Sequence, residues 1–455
     1  MTVVETLPVP TKTFLNVADF VFSLKFEDIP PSVTKTGALL ILDLIGVLAA
    51  ARKLDAAQIA RNFAVQNFAP GSGAPKARLP FDGRVVSLVG YGFAVATQID
   101  NLDAHDGWQP SKGHAGAALF PALCAFAEAQ KISGQEALVT MVIGYETSYR
   151  AAAALHATVD DYHTSGAWNS LGCAAIGARL RQTNSNTFRD ALGIAEYHGP
   201  RSQMMREIAN PSMLHDGTGW GAPVGIYATL IAEAGFTGAP AATVEFSDAE
   251  FAWKDLGENW LTEQQYIKPY PICRWAHAAI DAALELRKKY KIDPDQIESI
   301  DVFTFVYSAE LNNKVPNTSP LAQYSLAWPI AAAVVRGKVG VDEVMEDSFS
   351  DPDLIAMIDR VVVQIDEECE SGYPDRRLAR VNITLKDETV FESGLVEASG
   401  GPNPQPTEHE IVEKYRAFAG STLPKERVLK IEKAVLSLEK KGASFNQLIE
   451  LLIAP

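Results

Sequence analysis

Asp100, Asp103, His105, Asp106, Lys112 and His114 fall within fifteen residues, between two apolar stretches. Carboxylates and imidazoles at this density can take or give a proton near neutral pH, and a lysine beside them can hold an anion. Gly113–His114 runs straight into an apolar segment that opens at Ala115, whose first backbone amides would add donors for that anion. A solvated linker with helix caps has the same composition.

Three more segments place polar residues just ahead of a helix. Tyr162-His163-Thr164-Ser165-Gly166 precedes a run of small residues, and a hydroxyl cap with an incidental histidine explains it equally well. Met213 to Gly221 holds His215 and Asp216 before a helix expected over Ala222–Ala234. Its glycines make no phosphate loop, because no strand precedes them and neither GxGxxG nor GK[ST] is present. Tyr266 to His277 holds Lys268, Cys273 and Arg274; the two cations suit a carboxylate, and a proline-rich linker is the plain alternative. Cys273 and His277 share a helical face by spacing alone, a thin basis for a thiol nucleophile. Zinc ligation by Asp103, His105, Asp106 and His114 would lack the usual HExxH or HxH pair, so no metal is expected.

The elements that must position these residues read as two kinds. From Thr11 to about Leu261 apolar residues recur at helical spacing, in alanine-rich segments such as Ala115–Ala129, Gly134–Ala154, Asn169–Arg181 and Thr187–His198. Near Tyr266 the pattern changes to helical runs (His277–Tyr290, Ser325–Arg336, Asp353–Arg360) mixed with alternating β-branched stretches at Ile297–Val306, Val361–Glu367 and Ala379–Phe391. Asp387–Glu388 reads as a hairpin turn. The expected fold is mainly α with a smaller α+β domain: a helical bundle over 1–265, an α+β domain over 266–398, and helices over 399–455 (Glu408–Gly420, Lys425–Ile453) that return to the bundle.

Composition narrows the function. The formal charge is -16, which opposes nucleic-acid binding. Cys124, Cys173, Cys273 and Cys369 lie far apart, with neither a disulfide framework nor the clustered ligands of an iron–sulfur site. Met1–Pro31 does not look like a secretory signal, and the apolar window Gly37–Ala51 is too short to span a bilayer and reads as a buried helix. A cytoplasmic protein, not bound to membrane, is expected.

Asp103, Asp106 and Gly113–His114 resemble the D-F-[DN]-D-[ST] box and following GHP of the MmgE/PrpD family. So do Val33–Arg52, His163 with Gly172, Leu214–His215, Ala234–Gly238, Lys268/Pro271/His277, Tyr324–Pro329 and Gly401…Lys414-Tyr415, in order and nearly end to end. The chain departs from the family pattern at Ala104, His105 and Gly107, and at Ser212, where many members carry lysine.

The resemblance implies a helical domain closed by an α+β lid, a homodimer, no cofactor, and a lyase or isomerase acting on a small polycarboxylate. Dehydration of a 2-methylcitrate-like acid leads, ahead of decarboxylation of a cis-aconitate-like acid and epimerisation of an iminodisuccinate-like acid; a catalytically inactive binding protein on the same fold stands outside these. By resemblance Asp103, His114 and His163 are the proton-transfer candidates, and Lys268, Arg274, Lys112 and His215 the carboxylate ligands. In each reaction negative charge grows beside an existing carboxylate, so fixed cations and donors must stabilise it. His163, His114, Asp103 and Lys268 are expected to converge on one interdomain cleft.

Overall fold

The structure, a computed structural model, describes residues 9–454; of the Met1–Pro31 stretch, the first eight residues lie outside them. Pro31 opens a 21-residue helix that ends at Ala51, a position where proline forfeits no helical hydrogen bond. By length and composition this helix is long enough to cross a membrane, which corrects the expectation drawn from the shorter window Gly37–Ala51. Within this protein 89% of its most apolar window is buried, the environment of a core helix.

Around it, helices Leu88–Asp100, Gly116–Ala129, Gly134–Thr158, Gly166–Arg181 and Thr218–Glu233 pack on one another. Small residues let their backbones meet: a Cβ at Gly172 would lie 2.0 Å from Ser148 Oγ and 2.6 Å from the Gly144 carbonyl. The helix expected from Ala222 begins one turn earlier at Thr218, after Gly217 at φ 70°.

The α+β part is built on Ile297–Thr304, which pairs in parallel with Val361–Ile365 and antiparallel with Leu378–Leu385. Leu378–Leu385 then pairs with Val390–Glu392 across the hairpin turn at Asp387–Glu388, where Glu388 takes φ 69°. Residues in Ile297–Thr304 alternate in burial, as a half-covered sheet requires, and helix His277–Tyr290 packs on Leu378–Leu385.

Thr407 and Glu410 form a capping box at the start of helix Glu408–Gly420, which packs along Pro31–Ala51. The helix expected over Lys425–Ile453 is two, Lys425–Val435 and Phe445–Ile453. Gly442 at φ 87° lies in the break, a conformation that ends a helix.

Candidate active site

The polar loop after helix Leu88–Asp100 is held from three directions. Asp106 and Gly107 pair antiparallel with Ile267 and Tyr266, and Ile267 N donates to Gly400 O at 2.8 Å. From the tail, Lys414 Nζ donates to the Ala104 carbonyl at 2.5 Å while pairing with buried Asp43 at 2.6 Å. Asp106 is turned inward: its carboxylate accepts from Gly116 N at 3.1 Å, Tyr145 Oη at 2.9 Å and Tyr149 Oη at 3.3 Å. A Cβ at Gly116 would sit 2.0 Å from that carboxylate, so glycine opens the helix and Asp106 caps its amides.

These restraints bring residues from distant segments to one cleft. Asp103, Lys112, His114, Lys268 and Arg274 all line it. Asp103, at φ 52°, forms an ion pair with Lys268 in which both side chains are buried. The second Asp103 oxygen, Oδ2, is buried without a partner. Burial alone would lower Lys268, but the Asp103 carboxylate outweighs it and leaves the ammonium above its ordinary value. Burial also raises the Asp103 carboxyl against the pull of Lys268.

His114 shows which nitrogen carries its proton. Nδ1 lies 2.5 Å from the Asp106 carbonyl, which can only accept, so Nδ1 bears the hydrogen and Nε2 is free to accept. Burial, then Lys268, holds the imidazole well below its usual pKa and hence neutral. Its Nε2 faces Asp216 Oδ2 at 3.3 Å. Burial, then the Asp103 charge, pushes the Asp216 carboxyl up to about 7. Asp216 is therefore about half protonated near neutral pH, next to a base positioned to share its proton.

Three further cations at the cleft rest on aromatic rings. Lys112 stands over the Tyr162 ring at 5.8 Å, and Arg274 over Tyr266 at 4.7 Å while donating to the Ala398 and Ser399 carbonyls. Arg377 covers Tyr373 at 4.7 Å, donates to the Pro374 carbonyl, and keeps a buried Nε without a partner. None of the three has a carboxylate within 4.0 Å among the described residues. Three uncompensated cations facing one space favour a polyanion there.

Two expected residues are not brought in, which corrects the convergence expected for them. His163 does not line the cleft: its neighbour Tyr162 does, while burial, then Arg201, lowers the pKa of its own ring against the opposing pull of Asp161. His215 lines a second, larger cavity, and its ring meets that of Tyr324, which lines the cleft, at 5.7 Å and a tilt of 38°. Ser212 also faces the second cavity and bonds Glu207 at 3.0 Å, so it leaves no cation in the cleft. Cys273 lines the cleft, but burial pushes its thiol up to about 12, and His277 Nε2 is taken by the Ile272 carbonyl at 2.8 Å. That geometry excludes an activated thiolate.

Asp216, Arg377, Tyr266 and Tyr324 are among the cleft residues that sequence reasoning did not assign. For Asp216 the signal was present, one position beyond His215 in the singled-out segment. Arg377 lies in a polar stretch, Tyr373 to Arg377, with no motif around it.

Comparison with known proteins adds a second line. Residues 16–255 match the family described as MmgE/PrpD N-terminal domain, and residues 270–440 the MmgE/PrpD C-terminal domain. A "Cis-aconitate decarboxylase-like protein oryM" of Aspergillus oryzae is 24% identical over 504 positions, covering 99% of both chains. Proteins named cis-aconitate decarboxylase are similar from Aspergillus terreus, at 23% identity over 80% of each chain, and from Homo sapiens, at 26% over 76% of each.

Proposed function

The chain belongs to the MmgE/PrpD family, and from that premise we propose that it is a lyase that decarboxylates an unsaturated tricarboxylate of the cis-aconitate kind. The relatives move the reading from dehydration of a 2-methylcitrate-like acid to this alternative. The observation that carries it is the pairing of a proton-holding Asp216 with the uncompensated cations Lys112, Arg274 and Arg377 around one cleft.

Decarboxylation of such an acid consumes one proton. Asp216 gives it to the alkene carbon as the double bond shifts; the bond to the departing carboxylate supplies the electrons of the new double bond, and carbon dioxide leaves. The remaining carboxylates stay on the cations, which stabilise the charge that builds during the shift. Lys268 holds Asp103 beside the reacting groups, and His114 accepts from Asp216 until the substrate carbon takes the proton. Tyr266 and Trp108 wall the cleft and exclude water.

The test is incubation with cis-aconitate, citrate and 2-methylcitrate in heavy water, followed by proton NMR. Carbon dioxide release from cis-aconitate with one solvent deuteron in the product supports decarboxylation. Loss of water from a citrate without carbon dioxide would restore the hydro-lyase, and deuterium exchange without net conversion would point to an epimerase.

A further inference from the structure

We propose that the edge strand Val361–Ile365 is an interface at which a second copy of this chain pairs antiparallel with the first, about a two-fold axis through Val363. This pairing is independent of the reaction above.

The sheet runs in the order Val361–Ile365, Ile297–Thr304, Leu378–Leu385, Val390–Glu392, so Val361–Ile365 is paired on one side only. Ile300 N donates to Arg360 O at 2.8 Å, and Asp366 N to Thr304 O at 2.9 Å. The even-numbered residues thus bond inward, and the alternation of a strand turns the N–H and C=O of Val361, Val363 and Ile365 outward. There they meet no hydrogen-bond partner among the described residues. The flanking helices turn back over the sheet and leave this edge open: Pro352–Ile358 packs on Ala327–Arg336, and Glu367–Gly372 on Leu378–Leu385 and Ile297–Thr304.

Proteins guard an open edge with charge, proline or brevity. The opposite edge is guarded in this way, since Val390–Glu392 is three residues long and ends on a carboxylate. Val-Val-Val-Gln-Ile has neither charge nor proline, and Val362 is 46% and Ile365 59% exposed. An uncharged, apolar edge of this kind calls for a cover.

The residues at its two ends select the cover. Arg360 precedes the strand and Asp366 follows it. With two copies antiparallel about Val363, Arg360 of each faces Asp366 of the other, Val361 faces Ile365, and Val362 faces Gln364. The same register sets outward N–H and C=O groups opposite each other, Val363 with Val363 and Val361 with Ile365, each pair exchanging both of its bonds. Arg360 has no carboxylate within 4.0 Å among the described residues of its own chain, whereas Asp366 is held in place by capping Glu367–Gly372 and by Arg380 at 3.6 Å. Asp359 and Glu367, one step further out, belong to the ends of the flanking helices and leave the line of the strand. Opposite charges and apolar side chains facing across strands stabilise the pair. On a chain of formal charge -16, a neutral strand with one charge of each sign at its ends lets two copies meet there without local repulsion. An unrelated strand has no reason to match both ends; a second copy does so by symmetry.

Sedimentation of the full chain over a range of concentrations, with two double variants at exposed positions, tests this. Val362→Lys with Gln364→Lys sets lysine opposite lysine on both sides of the axis and should weaken the dimer about tenfold or more, with little change in Tm. Val362→Lys with Gln364→Glu sets opposite charges there and should dimerise about as wild type does. The pairing is overturned by a wild type that stays monomeric, by a lysine pair that dimerises as tightly as wild type, or by a lysine–glutamate pair that loses as much as the lysine pair. Should either double variant fail to fold, Val363→Cys decides. Its thiol would meet its own copy at a Cα spacing of about 5.5 Å, within disulfide reach, while the native cysteines are buried. Oxidised Val363→Cys should become a covalent dimer and Val362→Cys should not; equal crosslinking of the two, or none, overturns the pairing.

Discussion

The ammonium of Lys268 and the carboxylate of Asp103, 165 positions apart in sequence, meet as a buried ion pair at the cleft, with Asp103 Oδ2 left unpartnered. Lys268→Met strands a buried carboxylate, which costs about 3–5 kcal/mol of stability. We expect a lower midpoint in denaturant together with loss of turnover. Asp103→Asn, which removes the stranded charge from the other side, should still lose activity but retain more stability when combined with Lys268→Met than the sum of the singles. A double-mutant cycle by urea titration checks this; additive losses would contradict the pair.

Asp216 sets the alkaline limb of the reaction. Its carboxyl titrates at about 7, and the proton donor must be protonated, so kcat/KM should fall as pH rises through that value. Asp216→Asn should lower kcat by about a hundredfold or more. Stability runs the same way. The folded pKa is raised above the unfolded value, so wild type loses stability as pH rises from about 4 to 7. Asp216→Asn lacks that loss, and its Tm should gain on wild type between about pH 4 and pH 7, with little further gain above that.

Arg377 and Arg274 face the cleft without carboxylate partners. Removing either should weaken ground-state binding: Arg377→Ala is expected to raise KM about tenfold or more with a smaller change in kcat. Arg377→Lys should recover only part, since a lysine lacks the planar fork. Equal loss in kcat and kcat/KM would place Arg377 in the chemical step instead.

Lys414 bonds both Asp43 and the Ala104 carbonyl, next to Asp103. Lys414→Met should cost about 3 kcal/mol by leaving Asp43 unpaired. Lys414→Met with Asp43→Asn should recover much of that stability while activity stays low, because the Ala104 contact is still missing.

Much of this was legible in the chain. The helices Gly134–Thr158 and His277–Tyr290 and the strand Ile297–Thr304 follow from periodicity, because each buries one face or all faces against a neighbour. Asp103, His114, Lys268 and Arg274 stood out as dense polar residues ahead of apolar helices. Asp216 was overlooked for His215 because adjacent residues in a loop point to different spaces, and a positive φ at His215 (45°) reverses the usual expectation. Arg377 is invisible in the sequence because its importance lies in the absence of a carboxylate beside it, and no spacing records that. The break after Val435 was missed because lysines and a single glycine within an otherwise helical pattern mark a turn only weakly.

The bond from Lys414 to the Ala104 carbonyl also bears on when the enzyme comes into being during its synthesis. A nascent chain that has emerged only as far as Gly401 already contains Asp103, His114, Asp216, Lys268 and Arg377, yet it lacks the helix Glu408–Gly420 that steadies the loop holding Asp103 and covers Pro31–Ala51. The helix Pro31–Ala51 and the loop that holds Asp103 thus stay without these contacts until Glu408–Gly420 has been made.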